Sequence, residues 1–107
     1  MRTDNQSLGR FASSMATCLA SGLPVKKSLH LSGAGTRSRT LRKVVRAASN
    51  SCDRGLPLSE ALEPGAQIFP RHFLPVIRAG EATGRLVEAF QLLHQHSHRI
   101  GPSVRLV

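Results

Sequence analysis

Gly55-Leu56-Pro57-Leu58-Ser59-Glu60-Ala61-Leu62, then Phe69-Pro70, then Gly80-Glu81-Ala82-Thr83-Gly84-Arg85-Leu86 follow one another in the second half of the chain. Each of the three marks a helix boundary. Glycine takes the left-handed conformation that ends a helix, and proline fits a first helical turn because the N–H it lacks has no partner there. None of the three has the makeup of a catalytic site. A chain whose most distinctive residues are helix punctuation is built for packing or docking.

Working outward, the rest of the chain is helical too. Residues 5–21 carry Leu8, Phe11, Ala12, Met15 and Leu19 at helical spacing, and Gly22 closes that helix. Leu23-Pro24 opens a second helix with Val25, Leu29 and Ala34 inward, which 33–35 closes. The longest stretch, 36–54, puts Leu41, Val44, Val45, Ala48 and Cys52 on one face. A short fourth helix turns Leu58, Ala61 and Leu62 inward and Ser59, Glu60 and Glu63 outward, and Pro64-Gly65 stops it. Phe69-Pro70 opens a fifth, with Phe73, Leu74, Val76 and Ile77 apolar; Pro75 either kinks it or marks its true start. A break over 80–84 precedes a sixth helix, 85–99, which Thr83 is placed to cap and which buries Leu86, Phe90, Leu93 and Ser97. Gly101-Pro102 ends it, leaving 101–107 as a frayed tail or truncation stub.

Gly-Leu-Pro occurs at 22–24 and again at 55–57, which reads as one kind of corner used twice. No segment alternates with period two for long enough to form a sheet. The expected fold is all-α: a single domain over 1–107 with its core at roughly 8–100, an antiparallel bundle of about six helices in three helix pairs.

Composition sets limits on function. The 107 residues carry a net charge of +9, with no Trp or Tyr and four Phe, so the core is aliphatic with a few phenyl anchors. No acid lies between Asp4 and Asp53, whereas Arg37, Arg39, Arg42, Lys43 and Arg46 fall close together and form a basic face on the third helix. Such an excess points to an anionic partner. Cys18 and Cys52 lie far apart, with no ligand-like spacing, and read as small apolar residues. No apolar run approaches the roughly 20 residues of a membrane span, and the N-terminus lacks a signal peptide's layout.

Chemistry is sparse. His94 and His98 share a helical face and could chelate a transition metal, but no third ligand stands at a known spacing, so a solvated polar face is the better account. The stretch 33–38 superficially suggests a phosphate cradle, but lacks the Lys-Ser/Thr ending of a P-loop and follows no strand. A stray anion at the start of the third helix, beside Arg37 and Arg39, remains compatible with it. No nucleophile elbow and no acid/base pair is evident, so no enzymatic activity, metal or cofactor is expected. Glu81, between two glycines, is expected to accept hydrogen bonds from the free N–H groups that start the sixth helix, or else to meet a partner on an exposed corner.

In order and spacing, Gly22 and Pro24, then Gly55, Leu58, Ser59, Ala61 and Leu62, then Phe69-Pro70, then Gly80, Glu81, Gly84 and Leu86 resemble the cytoplasmic domain of the type II secretion system F protein family. The likeness extends over roughly residues 8–100. The short, basic 33–38 stretch, Pro75 and the His-rich end of the sixth helix depart from the family pattern. The resemblance implies a six-helix bundle at the cytoplasmic face of the bacterial inner membrane, part of a multi-pass platform protein without catalysis of its own. It implies as partners the assembly ATPase of type II secretion or type IV pilus biogenesis, the pseudopilin or pilin subunits, and other inner-membrane assembly components. A homo-oligomer is compatible with that role. An apolar span of about 20 residues is expected in the parent soon after residue 107. Excess Lys/Arg beside a membrane span also suits anionic lipid headgroups. The rival is a small basic helical nucleic-acid-binding domain; the lack of Trp and Tyr removes its stacking platforms but leaves duplex binding open.

Overall fold

Asp4 starts the first helix by chemistry local to it: its carboxylate accepts from the Ser7 N–H and the Ser7 hydroxyl, both at 2.9 Å. Those bonds, the backbone one foremost, hold the Asp4 carboxyl below its ordinary range. The computed structural model describes residues 3–99, and side chains through residue 97. It contains α1 (Asn5–Ala20), α2 (Val25–Ala34), α3 (Arg39–Asp53), α4 (Leu58–Leu62), a 3-10 helix (Glu63–Ile68), α5 (Phe73–Thr83) and α6 (Leu86–Arg99). The described residues contain no strand, so the architecture is all-α. The expected tail at 101–107 lies outside the described residues.

The helices pack in cyclic order. Each meets its neighbour in sequence, and α1 closes the ring by lying along α6. At the centre, Phe11, Met15, Leu29, Leu41, Leu62, Ile77 and Phe90 are almost completely buried. Phe11 and Phe90 meet edge to face across the α1–α6 seam, with ring centroids 6.2 Å apart. Of the expected inward residues, Leu19, Val25, Val44, Cys52, Val76 and Leu86 are partly buried against this core, whereas Ala34 is exposed. Among the described residues, no helix is long and apolar enough to cross a membrane.

Three corners give the bundle its pairs, α1/α2, α3/α4 and α5/α6, and all three are built alike. A glycine in the left-handed region (Gly22 at φ 92°, Gly55 at φ 93°, Gly84 at φ 72°) follows the helix end. The next residue's N–H then reaches back five residues: Leu23 to the Cys18 carbonyl at 3.1 Å, Leu56 to Ser51 at 3.2 Å, Arg85 to Gly80 at 2.8 Å. The Gly-Leu-Pro repeat thus revealed two corners of a set of three; the third lacks the proline. A Cβ at Gly22 or Gly55 would meet nothing within 4 Å. Alanine at either position should therefore cost only the left-handed backbone strain, about 1–2 kcal/mol in urea unfolding, with the structure otherwise unchanged.

Several boundaries differ from the sequence expectation. Pro24 and Pro57 are extended residues just ahead of α2 and α4, and their carbonyls accept from Ser28 and Ala61. The fourth helix does end ahead of Pro64-Gly65, at Leu62, but a 3-10 helix follows over Glu63–Ile68 with a non-helical kink at Gly65 (φ -104°, ψ 22°), where Gly65 packs closely on Val44. Phe69-Pro70 precedes α5 instead of opening it, with Phe69 stacked on Phe73 at 4.7 Å. Pro75 consequently falls in the first turn of α5, where its missing N–H costs nothing, which settles its place as a start. The third helix begins at Arg39 and not at 36; Ser38 caps it by accepting from the Leu41 N–H at 3.1 Å.

Candidate functional site

The second and third corners face each other at one end of the bundle, together with the start of α2. Val25, Lys26, Cys52, Leu56, Pro57, Leu58, Glu81, Gly84 and Leu86 line the cleft between them, about 500 Å³ in volume. Glu81 is part of that lining and, among the described residues, carries its only carboxylate. Residues 80–83 are helical and the chain turns only at Gly84, so Glu81 belongs to the last turn of α5. Its carboxylate reaches the start of α4, accepting from the Ser59 N–H at 2.8 Å and the Ser59 hydroxyl at 2.6 Å.

The expected cap on the sixth helix is therefore a cap on the fourth. The reason lies at Pro57, which stands just ahead of α4 and has no side-chain acceptor, so the first N–H groups of α4 have no local partner. Glu81 supplies one from a different helix, and its charge complements the helix dipole. Ser59, expected to face outward, is buried instead, with both its donors committed to Glu81. A missing cap at Pro57 was the sequence signal that could have revealed this pair. Thr83 does not cap α6 either; it ends α5 and donates to the Ala79 carbonyl at 2.9 Å.

Of the other corner residues, Leu58, Phe69 and Gly80 are buried, Pro70 is half-buried, and Gly22, Pro24, Gly55 and Gly84 are exposed. Cys52 flanks the cleft, its thiol pushed above the ordinary value by burial, with Glu81 and Asp53 adding to the shift. It is a neutral thiol at physiological pH, and both cysteines are free and half-buried. Lys26 pairs with Asp53 at 2.6 Å on the cleft's outer edge, a solvent-exposed contact of little energetic weight.

The basic face is divided by the fold. Arg42 is half-buried and its guanidinium donates to the Thr36 carbonyl at 3.1 Å, closing the link between α2 and α3. Arg42 and Arg46 line a groove between α2 and α3 with Lys26 and His30. Arg39 and Lys43 stand exposed on α3, and Arg37 turns to the α1 side of the link. Among the described residues the ion pairs are Lys26–Asp53 and Arg78–Glu63, so none of these five cations is neutralised within the fold.

The histidines are arranged otherwise than a shared helical face suggests. His94 donates through Nδ1 to the Gly9 carbonyl at 3.0 Å, tying α6 to α1, while the side chain of His98 lies outside the described residues. His96 instead meets His72, just ahead of α5, with ring centroids 4.0 Å apart. Burial, and then His96, depress the His72 value below 6.5. A depressed folded value means that the unfolded chain binds the proton more readily, so this contribution is intact above about 6.5 and is lost as pH falls through the folded value. His72→Gln is expected to flatten the fall in melting temperature between neutral pH and about pH 5, read by circular dichroism. No group of three or more metal-ligating side chains occurs among the described residues.

An all-α bundle with three glycine corners, two of them locked to each other by a carboxylate cap on a buried serine, is a helical packing module in class. Residues 11–99 match the family described as Type II secretion system (T2SS), protein F, and the chain belongs to that family. It is 29% identical over 96 residues to the type II secretion system protein F of Xanthomonas campestris pv. campestris, covering 90% of this chain and 24% of the relative. It is 32% identical over 82 residues to the protein transport protein HofC homolog of Escherichia coli K12, covering 76% of this chain and 20% of the relative. It is 32% identical over 79 residues to the type IV pilus assembly protein PilC of Thermus thermophilus, covering 74% and 19%. The chain thus spans about a fifth to a quarter of the length of these relatives.

Proposed function

We propose that this chain is a cytoplasmic domain of an inner-membrane platform protein, and that it links the assembly ATPase to pilin or pseudopilin subunits in type II secretion or type IV pilus assembly. It acts as a rigid, non-catalytic docking element. The observation that carries this reading is the use to which the family-marking residues are put. Gly55, Gly80, Ser59, Glu81 and Gly84 fix two helix corners against each other. The relatives' names, which speak of type II secretion, protein transport and type IV pilus assembly, supply the setting. The exposed Arg39 and Lys43 supply a surface for an acidic partner face.

The test is binding of the purified chain to the assembly ATPase of the same organism near physiological ionic strength (~0.15 M). A complex that Arg39→Glu with Lys43→Glu weakens at least about tenfold supports the coupling role. Duplex DNA and anionic lipid vesicles serve as parallel arms. Tight DNA binding that falls steeply with salt, without ATPase binding, would replace the platform reading by a nucleic-acid-binding one. Binding to vesicles alone would reduce it to a membrane-surface module.

A further inference from the structure

The cleft on the opposite side of the α2–α3 link from the basic groove holds two arginines that the docking role does not use. Here α1 contributes Gln6, Arg10 and Ser14 to the lining, and the link between α2 and α3 contributes Arg37, both arginines being exposed. The cavity is about 250 Å³, with Phe11 as its apolar floor. We propose that this cleft is a phosphate-binding site, with Arg10 and Arg37 as its charged ligands and Ser14 and Gln6 as neutral donors.

Four observations support it. First, neither arginine is ion-paired among the described residues. No acid lies between Asp4 and Asp53, and the described ion pairs are made elsewhere. Asp4, the acid nearest in sequence, is already engaged by the Ser7 N–H and hydroxyl. Two guanidinium groups at one polar cleft repel each other unless an anion lies between them, and their planar forks match the oxygens of a phosphate.

Second, the link that carries Arg37 is fastened on both sides. The Ser38 N–H donates to Thr36 Oγ1 at 3.2 Å, Arg42 donates to the Thr36 carbonyl at 3.1 Å, and the Thr3 hydroxyl donates to Ser38 Oγ. The backbone of Arg37 is therefore fixed before any ligand arrives, which lowers the ordering cost of binding.

Third, the buried Ser32 hydroxyl donates to Ser14 Oγ at 2.8 Å. That bond uses an acceptor lone pair of Ser14 and leaves its own proton to turn into the cleft.

Fourth, the size selects the ligand. Pockets that enclose drug-sized molecules run from roughly 300 to 1,000 Å³. This one is smaller and suits a phosphate or the phosphate end of a larger molecule, not a whole cofactor. That chemistry has two sources, a soluble phosphate compound or a phospholipid headgroup.

The probe is inorganic phosphate, titrated into the isotope-labelled 107-residue chain at constant ionic strength and followed by amide NMR. Saturable shifts at Ser14 and at 35–38 are expected. Arg10→Gln and Arg37→Gln should each weaken binding at least about tenfold. Lys27→Gln and Arg85→Gln, which change net charge equally at exposed positions outside the cleft, should leave it nearly unchanged. Shifts that do not saturate, or that the two control substitutions reduce as strongly, would overturn the site. A second arm uses vesicles containing phosphatidic acid. Vesicle binding lost in Arg10→Gln and Arg37→Gln assigns the headgroup as the source. Phosphate binding without arginine-dependent vesicle binding assigns a soluble phosphate compound. The ATPase is absent from every arm, so the outcome does not depend on the docking role.

Discussion

Gly80→Ala is expected to lower the unfolding free energy by about 1–3 kcal/mol, although it adds a single methyl group. The added carbon would lie 2.8 Å from Ala89 Cβ, 3.1 Å from the Arg85 carbonyl oxygen and 3.2 Å from Leu86 Cα. Two of those neighbours are backbone, and the third is a Cβ with no torsion to turn away. Relief requires α5 and α6 to separate at their corner, which also lengthens the bonds from Gly84 and Arg85 to the Gly80 carbonyl. Gly84→Ala is the informative comparison. A Cβ there meets nothing within 4 Å, so only the left-handed strain at φ 72° remains. Urea unfolding of the two variants separates crowding from strain. Equal losses at both positions would mean that the close approach at Gly80 is not energetically significant. Gly80→Val, with a branched side chain at the same contact, should lose more than Gly80→Ala.

Glu81→Ala is expected to cost about 2 kcal/mol, because it leaves the donors of a buried serine without an acceptor. Ser59 is only 3% exposed, so water cannot readily replace the lost carboxylate. For a domain near this size, about 2 kcal/mol corresponds to roughly 8–16 °C in melting temperature. Glu81→Gln keeps one acceptor oxygen and should lose about half as much. Ser59→Ala removes only the hydroxyl bond and retains the backbone one, so it too should fall between wild type and Glu81→Ala. If Glu81→Ala melts within about 2 °C of wild type, a shift below about 0.5 kcal/mol, the cap contributes nothing measurable to stability.

Much of the architecture was legible in the residues. The stripes of Leu8, Phe11, Ala12 and Met15 on α1 and of Leu41, Val45 and Ala48 on α3 are buried as their spacing demanded. Gly22 and Gly55 end their helices in the left-handed conformation that glycine favours. The residues whose place the tertiary structure had to decide are those where a local rule admitted two outcomes. Pro75 could kink a helix or begin one, and only the turn at 70–72 decides for the beginning. Gly80 looked like a helix terminator beside Gly84, yet it is helical and is retained for the closeness of α6. Ser59 fits an outward position by periodicity, and it is buried because a carboxylate 22 residues away in sequence reaches it.

The sequence by itself determined the helices, their glycine corners, the all-α class and the family, because those depend on spacing of three and four residues and on backbone preferences local to each glycine and proline. The tertiary structure alone decided what Glu81 caps, which of the five basic residues remain exposed on α3, and that Arg10 and Arg37 share a cleft. Each of these depends on the distance between side chains on different helices. That distance is set by how closely helix faces approach in the packed core, and helical periodicity carries no information about it.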